Sequence, residues 1–61
     1  MQPSMMVKMK VDTYKSEGIY NGDIGVVREL ADGKVKVEFK DTYGYTIATL
    51  LLSEEELEIV E

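Results

Sequence analysis

The chain has no cysteine, no histidine and no tryptophan in its 61 residues, and only one proline. Without cysteine there is no disulfide, and without cysteine and histidine the usual zinc ligand sets cannot be assembled. The same absences remove the common nucleophile–base pairs of covalent catalysis. Long apolar runs are missing too. The longest, Ala48 to Leu52, is interrupted by Thr49 and falls far short of a membrane span. No secretory leader pattern stands at the start. The expectation is a soluble, cytoplasmic protein with no membrane partner.

Positive charge is scarce. Seven basic residues stand against twelve acidic ones, for a formal net charge of −5. Backbone-driven nucleic-acid binding works by neutralising phosphates, so this balance disfavours it. The distribution is uneven: Lys8 and Lys10 make the first strand basic, while Glu54, Glu55, Glu56, Glu58 and Glu61 place five carboxylates in the last eight residues. That tail reads either as a solvated surface or as an acidic face that steers a basic protein.

What is present is a 44% apolar fraction, drawn largely from Val, Ile, Leu and Met. A chain of this length forms one domain and buries only about 60% of the surface its unfolded form exposes, so packing alone must hold it. Residues 1–4 have no pattern and are expected to be a disordered N-terminal tail, with a single domain over 5–61.

From Met5 to Asp12 the residues alternate, with Val7, Met9 and Val11 on one face, which predicts a half-buried strand. Thr13 to Asp23 lacks periodicity and reads as a long loop of the kind that often carries function. Ile24–Leu30 and Lys34–Lys40 predict two strands joined by an Asp32-Gly33 primed turn. Strict pairing across that turn would put Arg28 on the face of Val35, Val37 and Phe39. A bulge near Arg28, turning it outward and Val27 inward, resolves the conflict. Asp41 to Gly44 is a second turn and Tyr45–Leu52 a fourth strand. Ser53-Glu54-Glu55-Glu56 has the form of a capping box, predicting one helical turn before a closing strand at Leu57–Val60. The fold class expected is all-β, a small five-stranded barrel with one short helical turn before the last strand.

This order resembles the SH3-like barrel, with Thr13–Asp23 in the position of its long first loop. Gly18-x-x-x-Gly22-x-x-Gly25, followed by Val27 and Leu30, looks like the KOW motif. The stretch Tyr20-Asn21-Gly22-Asp23-Ile24-Gly25-Val26-Val27 is similar to the SH3-like element of RecD-type helicases. The whole run is similar to small accessory subunits such as the variable chain of ferredoxin-thioredoxin reductase and the SH3-like subunit of photosynthetic NADH-dehydrogenase-like complexes. These resemblances imply a binding module rather than a motor, since the chain has no phosphate-binding loop. Signalling SH3 domains bind polyproline through an A-L-Y-x-Y-like start and a tryptophan, and this chain has neither.

Four tyrosines supply nearly all the aromatic content and lie in or beside the two main loops. Tyrosine gives large apolar area and a hydroxyl at low entropy cost, which suits an interface. The expected contact rim is Tyr14, Tyr20, Asn21, Tyr43 and Tyr45, with Glu54, Glu55 and Glu56 adding charge selectivity toward a protein partner. Tyr20 is expected to cover the core and Tyr43 to be exposed. The alternative is a nucleic-acid module using Lys8, Lys10, Lys34, Lys36 and Lys40, and a further one is an acidic nucleic-acid mimic. The Asn21-Gly22-Asp23 stretch lacks the roughly six to eight oxygen ligands of a calcium loop. No metal, no cofactor and no catalytic activity are expected, because a barrel this small fills its interior with side chains.

Overall fold

Alternation of apolar and polar residues sets the first strand, β1 (Met6–Met9), whose Val7 and Met9 are fully buried. A computed structural model describes residues 1–60; Glu61, the last of the tail carboxylates, lies outside the described residues. The other strands are β2 (Ile24–Ala31), β3 (Lys34–Lys40), β4 (Thr46–Leu52) and β5 (Leu57–Ile59). They form one antiparallel sheet in the order β4-β3-β2-β1-β5. The only helical pieces among the described residues are two 3-10 turns, Lys15–Glu17 and Glu54–Glu56. The protein is therefore all-β, with one short helical turn immediately before its last strand. β1 ends three residues earlier than the alternation predicts, and Val11 packs on the core from the following loop.

The sheet curls for a reason its connectivity makes plain. β4 and β5 occupy opposite edges, which in a flat five-stranded sheet would lie roughly 19 Å apart. Only Ser53–Glu56 joins them, and a 3-10 turn rises only about 2 Å per residue. The edges must come together around a shared interior. Leu52 of β4 and Leu57 of β5 accordingly bury in the same core as Val27, Val35, Val37 and Phe39. Among the described residues no polar or charged residue is buried.

Two devices bend the β2–β3–β4 ribbon. Pairing runs Val27 opposite Val37 and then Glu29 opposite Lys36, so Arg28 is the extra residue of a bulge. It points outward, and its Nε donates to Glu38 at 2.7 Å. Burying an unpaired guanidinium costs far more than a local kink, and this is why the regular register gives way. The second bulge is unannounced in the sequence: Phe39 pairs with Ala48 and Lys40 with Thr46, leaving Ile47 extra. Gly25 completes the curl, because a Cβ there would sit 2.5 Å from Val37 Cγ1 and 2.9 Å from the Phe39 ring. The turn between β2 and β3 has positive φ at both Asp32 and Gly33, as a primed hairpin requires.

The first four residues, expected to fray, make contacts in the structure. Ser4 N–H donates to the Val27 carbonyl at 2.7 Å, and Met1 packs against the core.

Candidate functional site

Strand direction alone puts three connections at one end of the molecule. The β1–β2 loop, the β3–β4 hairpin and the start of β5 all follow or precede strand ends on that side. Two contacts join them. The Tyr14 hydroxyl donates to Glu56 Oε2 at 2.7 Å, across 42 residues of sequence. On the other flank, a Cβ at Gly18 would meet Ile47 Cγ2 at 3.3 Å, so the long loop rests against the β4 bulge.

The long loop is ordered by its own chemistry. Its Lys15–Glu17 turn closes at Gly18, whose left-handed φ of 81° lets its N–H donate to the Lys15 carbonyl at 2.9 Å. Ile19 then inserts into the core and is fully buried. Beyond it, Asn21 is held from both sides: its N–H donates to Asp12 Oδ1 at 3.0 Å and its Nδ2 to the Lys10 carbonyl at 2.9 Å. Tyr20, expected to cover the core, is 51% exposed, because Ile19 already fills that place and adjacent side chains diverge.

Glu56 is the hub at the other side of the loop. Its Oε1 accepts from both the N–H and the hydroxyl of Ser53 at 3.0 Å, completing the capping box. These bonds, the Ser53 N–H foremost, hold the Glu56 carboxyl below the usual carboxylate range although partial burial opposes them. The hydrogen bond to Glu56 pushes the Tyr14 hydroxyl up, with desolvation and the carboxylate charge acting in the same direction. The Lys10 N–H also donates to the Glu56 carbonyl at 2.9 Å. Glu54 and Glu55 are exposed.

The β3–β4 hairpin has the opposite character. Asp41 Oδ1 accepts from the N–H of Tyr43 at 2.9 Å and of Tyr45 at 3.0 Å. Backbone bonds from Asp41 N–H to the Tyr45 carbonyl and from Gly44 N–H to the Asp41 carbonyl close the loop. Gly44 supplies the positive φ the turn needs, at 88°. The result is a short, cinched loop whose side chains point into solvent: Tyr43 is 85% and Tyr45 73% exposed. At its base, the Thr46 hydroxyl donates to Glu38 Oε2 at 2.6 Å. That bond, and then the Arg28 guanidinium, keep the Glu38 carboxyl below its ordinary value.

The expected rim tyrosines therefore share one end but not one state, and Glu54 lies apart from them, paired with the Met1 amino group at 3.5 Å. Tyr20, Tyr43 and Tyr45 offer free surface, while Tyr14, Asn21 and Glu56 have polar atoms committed to internal bonds. Lys34, Lys36 and Lys40 share the outward face of β3 with Glu38 between them, and acidic partners accompany several of the lysines. Lys8 pairs with Glu58 at 3.5 Å and Lys36 with Glu29 at 3.7 Å, and Lys34 and Lys40 stand at opposite ends of β3. Two contributors escaped the sequence reading. Asp41 carries an Asx-turn signal in its spacing to Gly44, whereas nothing in the sequence marks Ile47.

A cleft of about 260 Å³ lies away from this end, lined by Met1, the Leu30–Val35 hairpin and Glu54. Among the described residues no cluster of three or more acids could hold a metal ion, and no helix is long and apolar enough to cross a membrane. No curated protein and no solved structure matches the chain. A family model does match, over residues 6–59, which takes in all five strands and both loops described above. The chain belongs to that family, the domain of unknown function DUF4926.

Proposed function

We propose that this protein is a non-catalytic interaction module or accessory subunit of the SH3-like barrel type. It binds a protein partner through Tyr20, Tyr43 and Tyr45, with the exposed Glu55 favouring a basic surface. The observation that carries this reading is the pair Tyr43 and Tyr45, held out by a backbone that Asp41 has already fixed. A rigid loop loses little entropy on docking, and tyrosine has few rotatable bonds to immobilise. Tyr14, Asn21 and Glu56 position the neighbouring loop. The strand order, with the last strand beside the first, supports the SH3-like reading. The lack of any buried polar residue among the described residues supports the non-catalytic one.

The test is affinity capture with the intact chain and with a Tyr43→Ala/Tyr45→Ala variant. A single partner retained by the first and lost by the second is the expected result. An unchanged partner list would remove the tyrosine rim. Titration with DNA and RNA at rising salt addresses the alternative: affinity falling steeply with salt would favour the nucleic-acid reading instead.

A further inference from the structure

The two edges of the sheet differ sharply. β5 is three residues long and carries Glu58 at its middle. β4 is seven residues long and contains no charge, no proline and no glycine. Proteins ordinarily blunt an open edge with lysine, proline, a short strand or a covering segment, because free backbone groups there recruit another strand. β5 follows that rule throughout, whereas β4 is guarded only at its start, by the Ile47 bulge and the long loop against it, and Ala48–Leu52 has no such device. Its outward Leu51 is 60% exposed, Ile47 is 43% exposed, and even the inward-facing Ala48 and Leu50 are only half-buried.

We propose that β4 is the seam of a two-fold symmetric homodimer, formed by antiparallel edge-to-edge pairing centred on Thr49. The strand is complementary to itself in that register. Thr49 faces the partner's Thr49, Leu51 faces the partner's Ile47, and Leu50 faces the partner's Ala48. Outward residues thus meet outward residues, large ones meet branched or small ones, and the central threonines form a favourable cross-strand pair. Centring on Thr49 pairs Ile47–Leu51, two residues on either side, and the bulge at Ile47 ends the regular register before Thr46.

Charge permits a second copy here despite the net −5 of each chain. The nearest charged row, Lys36, Glu38 and Lys40 on β3, alternates in sign. Across the seam the two β3 strands stand three strand spacings apart, roughly 14 Å, which exceeds the screening length of about 8 Å at physiological salt. The acidic Glu54–Glu56 turn lies beyond the end of β4. The alternative self-pairing, β4 against the partner's β5, would leave edges open and polymerise. The shortness of β5 and its Glu58 oppose it. The proposal is independent of the tyrosine reading, because the seam and the exposed rings occupy different residues.

Sedimentation of the intact chain over a concentration series tests it. The expected species is twice the 6.9 kDa chain mass, with the β4 amides gaining hydrogen-exchange protection as concentration rises. Thr49→Lys is the decisive variant. It sits opposite Glu38, so the fold gains a favourable cross-strand neighbour, yet the introduced lysines face each other across the two-fold. It should weaken dimerisation by about tenfold or more, while Thr49→Val should leave it intact. Circular dichroism checks that both variants keep the sheet, and Leu51→Lys serves as a second disrupting change. A wild-type chain that stays monomeric throughout, or a dimer that survives both lysine variants, overturns the proposal. So does β4 protection that is indifferent to concentration.

Discussion

The two tyrosine-bearing loops at one end of this sheet are made from similar residues and do opposite things. The β1–β2 loop folds inward: Ile19 enters the core and the Tyr14 hydroxyl reaches Glu56. The β3–β4 hairpin folds on itself through Asp41 and leaves Tyr43 and Tyr45 to solvent. The difference lies in what each loop can reach. A connection of fourteen residues, from 10 to 23, has enough chain to cover the sheet end and offset its ordering entropy by burial. Five residues between paired strands have no such reach, and their order comes from local hydrogen bonds instead. Order in a loop is thus no guide to exposure: both loops are fixed, yet the hairpin displays both of its rings while the longer loop leaves only Tyr20 half in solvent.

This contrast predicts a graded series. Ile19→Ala should be the most damaging change, costing about 2–4 kcal/mol in urea denaturation, since it empties a fully buried site in a very small core. A loss below about 1 kcal/mol would mean that the long loop is not anchored through Ile19. Tyr14→Phe removes only the hydroxyl and should cost about 1 kcal/mol by the same measurement.

The Tyr14–Glu56 clasp also makes a pH prediction with a definite sign. The folded Glu56 carboxyl titrates below its unfolded value, so its contribution is complete above the unfolded value and is lost as pH falls through the folded one. The folded Tyr14 hydroxyl titrates above its unfolded value, so its contribution is complete below that value and is lost as pH rises through the folded one. Stability should therefore decline at both extremes, and Glu56→Gln should flatten the acid limb. An acid limb of equal slope in that variant would assign the effect to other carboxylates.

Changes in the hairpin should be milder. Asp41→Ala is expected to cost about 1 kcal/mol and to speed amide exchange at Tyr43 and Tyr45. Smallest of all for stability is Tyr43→Ala with Tyr45→Ala, within about 0.5 kcal/mol of wild type in the same denaturation series. If that pair instead unfolded the protein, the rings would be part of its support and not a display.

The sequence makes the strands legible because each alternates, and it makes two irregularities legible as well. Arg28 betrays its bulge, since a regular register would bury a guanidinium. The Ser53 and Glu56 spacing betrays the helical turn, since both halves of a capping box lie within four residues. Other features rest on distant partners and leave no local trace. Ile19 is one apolar residue in an aperiodic stretch, with nothing to distinguish it from Tyr20 beside it. The bond from Tyr14 to Glu56 depends on the sheet having curled first. The Ile47 bulge is compatible with an ordinary β-branched strand position. For the candidate site, residue type showed where an interface is chemically suitable, but only the coordinates separate rings that are displayed from rings that are engaged.

Gly25 has a consequence for how this domain can vary. Its missing side chain is the space that the Phe39 ring and Val37 occupy. The three positions form one volume shared between neighbouring strands, so a larger residue at 25 is tolerable only where 37 or 39 becomes smaller. Members of the family that replace this glycine should carry a compensating reduction on the adjacent strand, and grafting either change alone into this chain should open a hole or force a clash.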